Sequence, residues 1–288
     1  REIAQVPATF IGSAAIVAAT GGQMAVQVDL FSTVVEPVSA VTVSGPTFAL
    51  LSEPVTFTAN VPLTASLPVT FTWSDGVSSP QIHVSTVATD TTSFLWSTTG
   101  TISISVLAEN PFGSASRLRT VNVVADVAES KAGQAVELVY QDQQGRSTML
   151  DVPVDAAAPG LVFTMTPLPS NAGGTFPGQG ATYAGIGLGV ALNAFQGDQQ
   201  LYGYSFADRA LLQFNYTDVD VAGIDETRLV VLTQDGEDWM DVAKTCSPDG
   251  VYTRNPEQNR LEVEICHLSP FQLAAPESRL YLPTLMRS

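Results

Sequence analysis

Near the end of the chain, the stretch ICHLSPFQL at residues 265–273 sets His267, Leu268 and Ser269 in a row directly after Cys266. A run of this kind could be a peptide bond that cuts itself. It reads equally well as the last strand of a structural domain, in which His267 is a strand residue and Ser269-Pro270 shifts the register before Phe271 and Leu273 enter the core. Pro270 confines Ser269 to extended or polyproline geometry under either reading.

A second group of chemically capable residues lies in DVDVAGIDE, where Asp218, Asp220, Asp225 and Glu226 gather around Gly223. Carboxylates at this density are a calcium candidate through oxygen ligation. The run lacks the length and spacing of a calcium loop, and acidic turns between surface strands have the same composition. The only two cysteines, Cys246 and Cys266, suit one disulfide in an oxidising compartment, with two buried free thiols as the alternative. Histidine occurs only at His83 and His267, and lysine only at Lys131 and Lys244, which leaves few candidates for acid–base work. His83 sits in the alternating run QIHVSTV and reads as a surface or hydrogen-bonded core residue. No glycine-rich phosphate loop, CxxC, GxSxG or HExxH occurs. The sequon NYT at 215–217 is close to chance in a chain of this length.

With 12 basic against 28 acidic residues, the formal charge is −16, which disfavours nucleic acid and anionic membranes as partners. Most of the acidic excess falls in 127–276, the pattern of a solvated acidic surface. No stretch approaches the ~18 apolar residues of a membrane span. The nearest, TFIGSAAIVAATGG at 9–22, is broken by Gly12 and Ser13 and is similar to the apolar core of an export signal. The chain is read as a mature, exported product.

These residues must be positioned by strands. Only 14% of residues are charged while 45% are hydrophobic, and the abundant Val, Thr, Ser and Ala fit pleated, half-buried surfaces. The expected fold is all-β: two β-sandwiches in tandem, with an extended N-terminal strand arm and a short C-terminal tail. The arm, 1–38, carries Met24, Val26, Val28 and Leu30 on one face, a candidate donor for β-strand addition. Residues 39–126 alternate as short strands, with Val69, Phe71 and Trp73 leading into an Asp75-Gly76 turn. In 127–276, a hairpin is expected around Gln144-Gly145, and IGLGVALNAFQ reads as strand because glycines at 187 and 189 weaken a helix. The tail, 277–288, is a sorting segment or an edge strand.

Over 41–124, the pattern GPTF…EPVTFTAN…LPVTFTWSDG…FLWSTTGTISISVLAENPFGSA…RTVNVV resembles the PKD-like, immunoglobulin-type modules of bacterial surface proteins. Over roughly 205–275, the order YTDVDVAGIDE…DGEDW…C…YTRN…LEVEICHLSPF resembles the ZU5/GAIN-like β domain of exported multi-module proteins. That resemblance implies an extracellular β-sandwich with a Cys246–Cys266 bridge. Self-cleaving members of the class carry a His-Leu-Ser/Thr tripeptide before the last strand. By that resemblance His267 would be the general base, Leu268 would supply the scissile carbonyl and Ser269 would be the nucleophile.

The expected function is therefore a non-catalytic extracellular structural or adhesive protein. Its partners would be copies of itself or other surface proteins, and a filament built by β-strand addition is one form this takes. One alternative is a self-cleaving domain cut between Leu268 and Ser269. Another is a carbohydrate-binding or display module of a secreted enzyme, which needs exposed aromatic rings. For that role Trp73 and Trp96 read as core, and Trp239 follows a charged turn. No cofactor is expected, calcium apart.

Overall fold

A computed structural model describes residues 15–16, 26–27, 35–170, 174–178, 181–235 and 238–277. The fold is all-β: strands dominate and no helix of seven or more residues occurs among the described residues. The chain divides into two compact units, one made of Arg1–Ser44, Phe57–Thr92 and Ile104–Arg119, the other of Gly45–Thr56, Ser93–Ser103 and Thr120–Ser288.

In the first unit, Val69–Ser74 is the strand next to the sheet edge, pairing antiparallel with Gln81–Ser85 on one side and with residues 105–109 on the other. Period-two alternation sends Val69, Phe71 and Trp73 inward, each at 0% exposure, and Phe57, Ile104 and Val106 are buried to the same degree. The opposite face of the same sheet carries Thr72, which lies between Ile82 and Leu107. Trp73 keeps its polar end satisfied, since Nε1 donates to Asp90 Oδ2 at 2.7 Å. The same carboxylate oxygen meets His83 Nδ1 at 2.9 Å, so His83 is a hydrogen-bonded strand residue. The AENPFG turn is held by Asn110, whose Oδ1 accepts from the Phe112 and Gly113 amides while Nδ2 donates to the Glu36 and Ser66 carbonyls. In the arm, Ala15–Ile16 pairs antiparallel with Val26–Gln27. Met24, Val28 and Leu30 lie outside the described residues, as does the tail from 278 onward.

Among the described residues, two sheets lie wholly within the second unit. One runs Val136–Gln141, Ser147–Val152, Ser205–Asn215, Arg260–His267, Tyr252–Asn255 in spatial order, and its first pair is the hairpin expected around Gly145. The other contains the long strand Ala181–Gln196, which pairs with Val162–Pro167, Thr175–Gly178 and Pro270–Pro276. Asp238–Asp241 and Val230–Asp235 link Thr175–Gly178 back to Pro270–Pro276, so part of this sheet closes on itself. Gly187 and Gly189 sit inside the long strand, and the register with Pro270–Pro276 shifts between Gly185 and Gly189, the disruption that glycine permits in a ladder. Leu138, Leu150, Phe214 and Val263 of the first sheet form one contiguous buried cluster with Phe163, Val190, Val231 and Phe271 of the second. Such burial is the main favourable term in the fold. Trp96 lies just beyond the strand Thr89–Phe94 and not within a strand; it is buried at 3% exposure and stacks on Phe94 at 5.7 Å.

Candidate functional site

Arg260–His267 and Pro270–Pro276 are consecutive strands in different sheets of the second unit, and Leu268-Ser269 is the step between them. Leu268 is buried at 4% exposure, and its amide donates to the Tyr204 carbonyl at 2.8 Å. The Ser269 carbonyl accepts from the Leu192 amide, so both flanks of the Leu268–Ser269 bond are hydrogen-bonded to neighbouring backbone. The Ser269 hydroxyl accepts from Thr233 Oγ1 at 2.7 Å. His267 turns elsewhere: Nδ1 lies 3.5 Å from Thr245 Oγ1 and 3.7 Å from Cys266 Sγ. Thus the three residues adjoin one space, but among the described residues no hydrogen bond joins the His267 ring to the Ser269 hydroxyl. Burial lowers the His267 pKa below its ordinary value of 6.5, which keeps the ring neutral at neutral pH.

Cys246 and Cys266 are joined as a disulfide, with 5.7 Å between their Cα atoms. The bridge ties the short 3-10 turn Val242–Thr245 to the end of Arg260–His267, directly beside the His267 ring. Arg209 braces the same region. Its guanidinium donates to the Pro248 and Asp249 carbonyls and to the Glu264 carboxylate. Gly250 is required for close approach: a Cβ there would meet the Glu264 carbonyl oxygen.

The space beside this step is a cleft of about 550 Å³. Leu192, Thr233 and Leu268 supply its buried lining. Asn193, Gln200, Met240, Thr245, His267 and Ser269 line it as half-buried residues. Tyr202, in the turn after the strand Gln199–Leu201, also borders it and is 85% exposed. Gln200 is registered opposite Phe195, and its side chain reaches diagonally across the paired strands to Asn193 in a hydrogen bond of 2.8 Å. Sequence reasoning passed over Tyr202, Asn193, Gln200 and Thr233. Gln200 and Tyr202 carry one local mark, the Gln-rich hairpin FQGDQQLYG, whose place beside Ser269 depends on pairing between distant strands.

The four carboxylates of DVDVAGIDE are each engaged by a different protein group. Asp220 accepts from the Thr217 amide and hydroxyl and from Arg146 Nη1, and Asp218 accepts from Asn259 Nδ2 at 2.8 Å. Asp225 accepts from the Thr227 amide and hydroxyl, capping the 3-10 turn Glu226–Arg228. Glu226 accepts from the Tyr216 hydroxyl at 2.8 Å, and burial together with that carboxylate raises the phenol pKa. Among the described residues no three His, Cys, Asp or Glu side chains gather as a metal-holding group. Trp239 packs edge-on against Phe176 with ring centroids 4.7 Å apart.

No helix among the described residues is long and apolar enough to cross a membrane. Compared with protein-family models and with curated proteins, the chain matches none.

Proposed function

We propose that this chain is a non-catalytic extracellular structural or adhesive protein that joins copies of itself through an open sheet edge. The observation that carries the reading is the strand Gln81–Ser85. It ends its sheet, pairing among the described residues only with Val69–Ser74, and it exposes Ile82 at 65% and Val84 at 67%. Natural proteins usually blunt an edge of this kind with charge, and an apolar edge favours β-strand addition. Backbone hydrogen bonds supply the strength, and alternate side chains supply the selectivity. In sequence, the alternation of Met24, Val26, Val28 and Leu30 in the arm matches that pattern. The disulfide favours an oxidising compartment outside the cytosol. The resemblance to PKD-like and ZU5/GAIN-like modules points the same way.

Sedimentation velocity and electron microscopy of the purified full chain test this reading. Oligomers or fibres that grow with concentration, and that disappear in Ile82→Lys/Val84→Lys, are the expected result. A chain that stays a monodisperse monomer at high concentration overturns the self-association.

A further inference from the structure

The cleft beside Ser269 has a volume of about 550 Å³, within the ~300–1,000 Å³ range of small-molecule sites. Among the described residues that line it there is no Asp, Glu, Lys or Arg, in a chain whose formal charge is −16. An ionic ligand entering it would shed hydration without meeting a counter-charge. A purely apolar ligand would cover the amides of Asn193 and Gln200 and leave their spare hydrogen-bonding groups unpaired, which is costly. The ligand that fits both limits is neutral, rich in hydroxyls, and apolar on one face.

The polar atoms around the cleft include both donors and acceptors. In the Asn193–Gln200 pair, Gln200 Nε2 donates to Asn193 Oδ1. The Asn193 amide nitrogen and the Gln200 amide oxygen are thereby left for a ligand. Thr233 donates to Ser269 Oγ, which leaves the serine proton to be given onward. Thr245 gives its hydroxyl proton to the Val242 carbonyl at 2.7 Å, so toward His267 Nδ1 it can only accept. That places the imidazole proton on Nδ1 and makes Nε2 an acceptor. Each sugar hydroxyl both donates and accepts, so a mixed set of this kind suits vicinal hydroxyls. Met240 and Leu268 add apolar surface, and the exposed Tyr202 ring supplies a flat one.

We infer that this cleft binds a neutral saccharide, with the Tyr202 ring against the C–H face of a pyranose and Asn193, Gln200, Ser269 and His267 hydrogen-bonded to its hydroxyls. The cleft and the Gln81–Ser85 edge share no residue, so self-association and saccharide binding can each fail alone.

Saturation-transfer NMR on the full chain tests it with glucose, galactose, mannose, N-acetylglucosamine and their β-1,4-linked disaccharides at millimolar concentration, followed by titration calorimetry of those that bind. At least one neutral saccharide is expected to bind. Tyr202→Ala should weaken it on the order of tenfold, the scale of one lost stacking contact. Tyr202 is 85% exposed, so its replacement leaves the core intact, and an unchanged thermal melt confirms this. Asn193→Ala/Gln200→Ala should weaken binding by at least as much. Glucuronic acid should bind more weakly than glucose. Absence of binding by every neutral saccharide, binding indifferent to both sets of substitutions, or equal binding of glucuronic acid overturns the inference.

Discussion

Thr233 Oγ1 donates to Ser269 Oγ across 2.7 Å, and this bond couples the hydroxyl of the His-Leu-Ser run to the strand Val230–Asp235 instead of to His267. Attack on the Leu268 carbonyl would need the hydroxyl to leave Thr233 and a base to reach it. The ring of His267 lies against Thr245 and the disulfide.

The purified protein is therefore expected to keep the mass of the full 288-residue chain on prolonged incubation at neutral pH, and Ser269→Ala should change nothing beyond the substituted mass. Intact-mass spectrometry checks this directly. A fragment spanning 269–288 that is absent from Ser269→Ala would establish self-cleavage.

A second prediction concerns acid. Arg146 lies between Asp142 and Asp220, bonded to Asp142 Oδ2 at 2.6 Å and to Asp220 Oδ1 at 3.2 Å, and all three side chains are at most 14% exposed. Burial would raise the Asp142 pKa, but hydrogen bonds from the Arg146 side chain and from the Arg146 and Gln144 amides outweigh it and hold the carboxyl below its ordinary 3.8. A carboxylate whose folded pKa is depressed contributes stability that is complete above the unfolded value and is lost as pH falls through the folded one. Arg146→Met should cost roughly 2 kcal/mol at neutral pH, because two half-buried carboxylates lose their shared cation while keeping their backbone amide donors. The gap between wild type and variant should then narrow as pH drops below 3.8. Thermal unfolding midpoints across pH 2–7 measure both effects, and a gap independent of pH would refute the assignment.

Much of the architecture was legible because it is local. Alternation at Val69, Phe71 and Trp73 marks a half-buried strand within six residues, and glycines at 187 and 189 argue against a helix where the long strand Ala181–Gln196 runs. The candidate site was less legible because its bonds span long separations. Thr233 and Ser269 are 36 residues apart, and Arg146 and Asp220 are 74 apart. An acidic cluster therefore reads in sequence as a possible ion site, while in three dimensions each carboxylate meets its own donor. The aromatic residues show the same limit. Trp239 follows a charged turn and packs on Phe176, while Tyr202, marked in sequence only by its Gln-rich hairpin, is the exposed ring beside the cleft.

The disulfide yields a third prediction. Cys246–Cys266 closes a loop with a sequence separation of 20. Constraint of the unfolded chain by a loop of this size is worth about 3 kcal/mol. Reduction, or Cys246→Ala/Cys266→Ala, should lower denaturant stability by about that amount while the circular dichroism of the folded protein remains that of a β protein. A variant as stable as the wild type would show that the bridge adds nothing to the fold.

That loop contains the 3-10 turn Pro256–Gln258, whose residues are exposed. A protease that nicks the backbone there cannot release either piece, because the two ends stay tethered through sulfur. In the exported setting proposed here, such damage would leave the polymer chain mechanically continuous, and the two pieces could part only after a reductant is added.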